Sequence, residues 1–285
     1  MSRSLAMGVL GKQIVKGIAA PLLRNYTSAT KLVDIVVNDK TGIATVSMNK
    51  APVNSLNLEL ITELNYSIRE LEKSKCRGVI LTSSLPSIFS AGLDIMEMHK
   101  PDIKRAETFW RTLQDLWLTL YGTGLPTAAA INGASPAGGC LLALSCEYRT
   151  FVEGKHTIGL NETKLGIVAP KWFQDTIINT IGHRWAEISL LQGALYSPED
   201  ALKIGLVDEL AKDKADAIVS CEKYIGSFAR VAPDARTVTK RVVREAALNW
   251  LEKNRDQDLK TFIGFLEQPK VQKNLDLYIQ SLKKK

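Results

Sequence analysis

The chain has 285 residues, 45% of them hydrophobic and 24% charged, with a formal net charge of +7. This is the composition of a soluble globular protein with a sizeable core, built as one large domain or two modest ones. No run approaches the ~20 consecutive apolar residues that a membrane-spanning helix needs, so no membrane span is expected.

The surplus charge sits at the start. Arg3, Lys12, Lys16, Arg24 and Lys31 all precede Asp34, the first acidic residue, and without those five the remainder carries only about +2. An acid-free start with Ser, Arg and Lys among apolar residues reads as a mitochondrial presequence over residues 1–26, with Arg24-Asn25-Tyr26 before Thr27 as a processing point and the matrix as destination. Lys12 and Lys16 interrupt what would be the apolar core of a secretory signal. The nearly balanced body shows no dense Arg/Lys stripe with interleaved aromatics, so no nucleic-acid partner is expected. The closing Lys283-Lys284-Lys285 reads as a solvated tail and is not a peroxisomal Ser-Lys-Leu ending.

From about Leu32, short β-rich runs alternate with helical patterns. Val33 to Val37 and Ile43 to Met48 bracket the turn signal Asp39-Lys40-Thr41-Gly42 and predict a hairpin. Leu60, Ile61, Leu64, Ile68 and Leu71 fall at helical spacing, and Gly78 to Thr82 reads as a buried strand. A loop through Pro86 and Gly92 leads to a second helical region, followed by an amphipathic helix bearing Phe109, Leu113, Leu116, Trp117 and Leu120. Thr127 to Ile131 is a short strand before the turn Ser135-Pro136-Ala137-Gly138-Gly139-Cys140-Leu141, a short apolar helix follows, and Arg149 to Val152 is the next strand. The chain is mainly helical from about Gln174, and Ser197-Pro198-Glu199-Asp200 is a clear helix start. After Pro269, Val271, Leu275, Tyr278, Ile279 and Leu282 share one stripe. With no long linker and no internal repeat, the pattern predicts an α/β core over residues 32–195 and a helical C-terminal region over residues 196–285.

Two small-residue loops draw attention for chemistry. Ile88-Phe89-Ser90-Ala91-Gly92-Leu93-Asp94 and the turn through Gly138-Gly139 each open a helix, whose first N–H groups have no internal partners and can receive an anion. The Gly-Lys-Ser/Thr ending of a phosphate loop is missing, which favours an oxyanion, while a tight packing turn is the plainer alternative. Asp94 has the position and residue type of a helix cap rather than a base. Cys76, Cys140, Cys146 and Cys221 form no CxxC pair and have no His at metal-ligand spacing, so no metal or redox cofactor is expected, and Cys140 lacks a recognisable His partner for a nucleophilic role. On the residues alone, Glu162 in Asn161-Glu162-Thr163-Lys164-Leu165-Gly166 reads first as a solvated helix-start glutamate.

Taken in order, Ile88 to Met98, Asn132 to Cys140 and Asn161 to Gly166 closely resemble the enoyl-CoA hydratase/isomerase (crotonase) superfamily, and within it the double-bond isomerases. The resemblance runs from about Leu32 to the C-terminus. It implies a crotonase-like spiral of ββα units with a helical C-terminal extension, commonly a homotrimer, acting on an acyl-CoA thioester. CoA is then part of the substrate and no separate cofactor is implied. It further implies backbone donors at Leu93 and Gly138 for the thioester oxygen, and a substrate-binding set of Ser90, Ala91, Gly92, Leu93, Asp94 and Gly138. Hydratases of the superfamily use two glutamates; one of these positions is Leu141 here, and Glu162 matches the other. The implied reaction is therefore isomerisation of cis- or trans-3-enoyl-CoA to trans-2-enoyl-CoA in fatty acid β-oxidation, with Glu162 moving a proton from the α- to the γ-carbon. Hydration, thioester hydrolysis and the RNA binding of some relatives are the alternatives.

Overall fold

The computed structural model describes residues 31–283, so the presequence expected over residues 1–26 lies outside the described residues. The strands are β1 (Val33–Val37), β2 (Ile43–Met48), β3 (Gly78–Ser83), β4 (Ser87–Ile88), β5 (Thr127–Ile131), β6 (Gly133–Pro136), β7 (Tyr148–Val152), β8 (Ile158–Gly159) and β9 (Glu209–Ala211). They divide into a six-stranded sheet ordered β1-β2-β3-β5-β7-β9 and a small sheet ordered β4-β6-β8. Apart from the β1–β2 hairpin, in which Val33 faces Met48, every pairing between these strands is parallel.

The helices are α1 (Leu58–Lys73), α2 (Ile103–Gly122), α3 (Gly138–Ser145), α4 (Lys171–Gln192), α5 (Pro198–Lys203), α6 (Lys214–Gly226), α7 (Pro233–Leu266) and α8 (Pro269–Lys283). The capping residues at four starts are polar side chains that take up an orphan N–H: Asn57 accepts from Leu60, Asp102 from Arg105, Ser197 from Asp200 and Asp213 from Asp216. Three successive turns of the chain, β3-β4-α2, β5-β6-α3 and β7-β8-α4, each place one strand in the large sheet and one in the small sheet and then form a helix. This is the expected spiral of ββα units.

The central strands are buried on both faces, as continuous apolar runs in parallel sheets require. Their side chains alternate between two cores. Val79, Leu81, Ala129 and Ile131 join the main core with α1 and α2, whereas Ile80, Ala128 and Ala130 meet Ala217, Cys221 and Ile225 of α6. The alanines of β5 are what allow α6 to approach.

One element departs from the sequence reading. Within the stretch expected to be a helical extension, Glu209–Ala211 forms β9 and continues the large sheet beside β7, with Phe151 opposite Leu210. Three residues between Asp208 and Lys212 are too few to display a period, so their strand character comes from the pairing partner.

The long α7 is fastened to the body by buried charge. Glu147 receives Arg236, and Lys240 Nζ lies 2.8 Å from its Oε1, with the three side chains between 7% and 12% exposed. Arg244 Nη1 donates to the carbonyls of Tyr121 and Ser145 at 2.8 and 3.0 Å. Burial alone would raise the Glu147 pKa, but Lys240 and Arg236 outweigh it and hold the carboxyl below its ordinary value. Burial pushes Lys240 down to about 8 despite Glu147. Removing the anion leaves cations stranded, which costs far more than the pair contributes. Glu147→Gln is expected to destabilise by about 3–5 kcal/mol, roughly a 10 °C fall in Tm by thermal denaturation. A Tm within about 2 °C of the parent would rule out this account of how α7 is held.

Candidate functional site

All three sequence motifs include the segment that leaves, or closely follows, the C-terminal end of a strand of the small sheet. β4 runs into 89–94, β6 into Ala137 and Gly138, and β8 into 160–162. Because the pairings β4–β6 and β6–β8 are parallel, the three exits lie on one edge, adjacent strands being about 4.8 Å apart. The close crossing of β4 and β6 depends on Gly133, where an added Cβ would stand 1.9 Å from the Ser87 carbonyl carbon.

Two backbone N–H groups meet at this edge. Ala137 turns the chain from β6 into α3 with φ 49 and ψ −121, a conformation more usual for glycine. Its N–H is anchored on Gly159 O at 2.8 Å and its carbonyl receives Leu141 N at 3.0 Å, which leaves Gly138 as the first helical residue. In the other loop, Leu56 N bonds to Gly92 O at 2.8 Å and Asp94 N to Leu56 O at 3.1 Å, fixing both neighbours of Leu93. Among the described residues neither Leu93 N–H nor Gly138 N–H has an acceptor. A Cβ added to Gly138 would sit 3.2 Å from Leu93 N, and one added to Gly92 would sit 3.1 Å from Gly138 N. The two donors thus border one small cradle, the arrangement that stabilises negative charge on a single oxygen.

Glu162 opens the 3₁₀ turn Glu162–Leu165, which ends at Gly166 with φ 72. Its carbonyl accepts Ile167 N at 3.1 Å, while Thr163 Oγ1 bonds to Leu190 O at 2.9 Å and ties the turn to α4. The residue is only 6% exposed, and Oε2 is buried without a partner among the described residues. Burial pushes its carboxyl up to about 7, against the smaller opposing effect of its own N–H. Cys140, two residues past Gly138, is close enough to sense it: burial and then the Glu162 charge drive that thiol far up, so it is inert as a nucleophile. Leu141, one turn beyond Gly138 in α3, is buried and apolar.

The remaining predicted residues support this edge in different ways. Gly92 takes φ 89 and Ala91 N bonds to Val53 O at 2.9 Å. Ser90 is fully buried; its hydroxyl donates to Asn54 O at 2.7 Å and accepts Gly92 N at 3.2 Å, so it is engaged inside the loop. Asp94 is a cap, accepting Met96 N at 3.1 Å, and its other oxygen accepts from Ser55 Oγ at 2.9 Å and Lys50 Nζ at 3.2 Å. Burial opposes ionisation there, yet Ser55, Met96 N–H and Lys50 together hold the carboxyl below its ordinary value. No group of three His, Cys, Asp or Glu suited to a metal occurs among the described residues.

Several supporting residues escaped the sequence reading. Glu97 accepts Leu58 N at 3.0 Å and a forked contact from Arg105 at 2.7 and 2.8 Å, joining α1, α2 and the loop after Leu93. His99 Nε2 meets Asp276 of α8 at 2.6 Å, and Gln272 bonds to Lys100 N and Met98 O at 2.8 and 3.0 Å. The helical stripe of α8 announced that something lay beneath it; nothing announced that it was this loop.

A family model described as Enoyl-CoA hydratase/isomerase matches residues 38–285. The chain belongs to that family. Mouse "Enoyl-CoA delta isomerase 1, mitochondrial" is 45% identical over 260 residues, covering 90% of this chain and 89% of the relative. Its human counterpart is 43% identical over 244 residues, covering 85% and 80%. The crystal structure of human mitochondrial delta3-delta2-enoyl-CoA isomerase superposes with a TM-score of 0.86 at 42% identity, over 89% of this chain and 99% of that one. An enoyl-CoA hydratase from Bacillus halodurans shares the fold at 22% identity and a TM-score of 0.77, over 87% of this chain and 100% of that one. The three motifs come together on one edge of the small sheet; of their two buried glutamates, Glu97 is tied up by Leu58 N and Arg105, and Glu162 keeps an oxygen without a partner among the described residues.

Proposed function

We propose that this chain is an enoyl-CoA delta isomerase, converting cis- or trans-3-enoyl-CoA to trans-2-enoyl-CoA in fatty acid β-oxidation. The observation that carries the reading is one buried carboxyl, its Oε2 without a partner among the described residues, on the same edge as two backbone N–H groups lacking acceptors; burial pushes that carboxyl up to about 7. As carboxylate, Glu162 takes a proton from the α-carbon, and the electrons move into the thioester to give a dienolate whose oxygen lies between Leu93 N–H and Gly138 N–H. The same carboxyl then returns the proton to the γ-carbon, and the double bond ends between the α- and β-carbons. A pKa near the working pH suits a group that must serve as base and then acid.

Leu141 argues against hydration, because a second carboxylate to activate water is not available at that position. In this reading Ala91, Gly92, Leu93 and Gly138 touch the thioester end of the substrate, Asp94 and Ser90 shape the loop, and CoA arrives with the substrate, with no other cofactor. The relatives named above as mitochondrial and the acid-free start support a mitochondrial protein, which we place in the matrix. A homotrimer is the assembly we expect.

The test is conversion of a 3-enoyl-CoA by protein starting at Thr27, beside hydration of the 2-enoyl product. Isomerisation well in excess of hydration is expected. A well-folded protein that hydrates but does not isomerise overturns the reading.

A further inference from the structure

Asn54 stands outside every motif that drew attention in the sequence, yet it is completely buried and adopts φ 49, a left-handed conformation uncommon for a residue with a side chain. Such strain persists only where the surroundings fix it. Here they do so from several sides. Asn54 Oδ1 accepts Lys50 N at 2.7 Å, and Nδ2 donates to Ser83 Oγ at 2.7 Å and Phe89 O at 3.0 Å. The amide therefore joins the end of β3 to the exit of β4. The backbone carbonyl of Asn54 receives Ser90 Oγ at 2.7 Å, and Ser90 Oγ in turn accepts Gly92 N at 3.2 Å. The next N–H along the chain belongs to Leu93.

We propose that Asn54 and Ser90 are positioning residues for the oxyanion cradle: a relay from the Asn54 carbonyl through the Ser90 hydroxyl to Gly92 N–H orients the donor at Leu93. The inference deepens the isomerase reading and rests on it. The relay matters because Leu93 N–H has no acceptor of its own to hold it in place. Its direction follows the peptide plane it shares with Gly92 O, which accepts Leu56 N at 2.8 Å, and the setting of the preceding peptide, whose Gly92 N–H is held by this relay. Displacing a catalytic group by about 1 Å can cost on the order of 100-fold in rate. Substrate binding, spread over many contacts, has no comparable sensitivity to that single angle.

Ser90→Ala removes the relay while leaving the Asn54 amide network in place. Asn54→Gly removes the amide but keeps a residue at ease with φ 49. Three quantities are read on each variant: kcat for isomerisation, affinity for a saturated acyl-CoA, and the near-ultraviolet absorbance of bound acetoacetyl-CoA, whose enolate forms in proportion to the stabilisation its oxygen receives. For Ser90→Ala, kcat is expected to fall about 10- to 100-fold, the enolate signal to drop at fixed pH, and saturated acyl-CoA affinity to stay within about twofold. Asn54→Gly should show the same pattern where it folds. Unchanged kcat and enolate signal in Ser90→Ala overturn the proposal, as does a parallel loss of kcat and saturated acyl-CoA affinity. Failure of the isomerase reading itself looks different: the parent protein then lacks isomerisation at the outset.

Discussion

Glu162→Gln is expected to lower isomerisation of a 3-enoyl-CoA by about 10⁴-fold, at the upper end of what general acid–base groups contribute, while the fold is retained. The large figure follows from one carboxyl taking the proton from the α-carbon and delivering it to the γ-carbon; an amide does neither. The pH dependence has a definite sign. The base form is needed for the first step, so kcat/KM should rise through about 7 and then level off. Stability should move the other way. With a folded pKa of about 7 and an ordinary value of 4.5, the folded state holds a proton in this window that the unfolded state has released. Stability therefore declines as pH rises from about 4.5 to 7, by on the order of 3 kcal/mol, and stays reduced above it. The glutamine variant lacks that decline, so it should be the more stable protein at pH 8 and lose its advantage by pH 4.5. Paired rate and Tm profiles check both halves. Lost activity without a gain in stability at pH 8 would show that burial does not strain this carboxyl.

The same residue shows where sequence reading stops. Asn161, Thr163 and Lys164 around Glu162 are polar and at least partly exposed, so nothing local marks it as buried. It turns inward because a 3₁₀ turn has about three residues per revolution, and α4 and α8 hold that turn against the body. The longer elements were legible, since β1, β2, β3 and β5 carry their alternation or apolar runs between turn signals, and α1 and α2 carry clean stripes. The small sheet was not. β4 and β8 have two residues each, too few for any period, and exist because the spiral lays them beside β6. The motifs could thus be found in order along the chain, but their meeting on one edge is a property of those short pairings. Asn54 is the extreme case, a loop asparagine whose importance lies wholly in long-range hydrogen bonds.

Gly138→Ala should cost about 100- to 1000-fold in kcat with little change in stability, the loss typical of removing one oxyanion donor. The glycine is not needed for its backbone freedom: it is not among the positive-φ glycines and begins α3, where alanine is the better helix former. It is needed for the space it leaves. The new methyl would come within 3.1 Å of Leu56 Cδ1 and Leu93 Cδ2, side-chain ends that can yield, but also within 3.2 Å of Leu93 N, which is backbone. It would therefore crowd the space before one of the two donors. The dienolate oxygen would keep Gly138 N–H and lose Leu93 N–H. The enolate absorbance of bound acetoacetyl-CoA should fall with kcat, and Tm should hold within about 2 °C. Retention of parental kcat would mean that the oxygen lies elsewhere and that the unpaired N–H groups are not its site. Loss of kcat with the enolate signal intact would instead place the barrier in proton transfer by Glu162, separating the two halves of the mechanism.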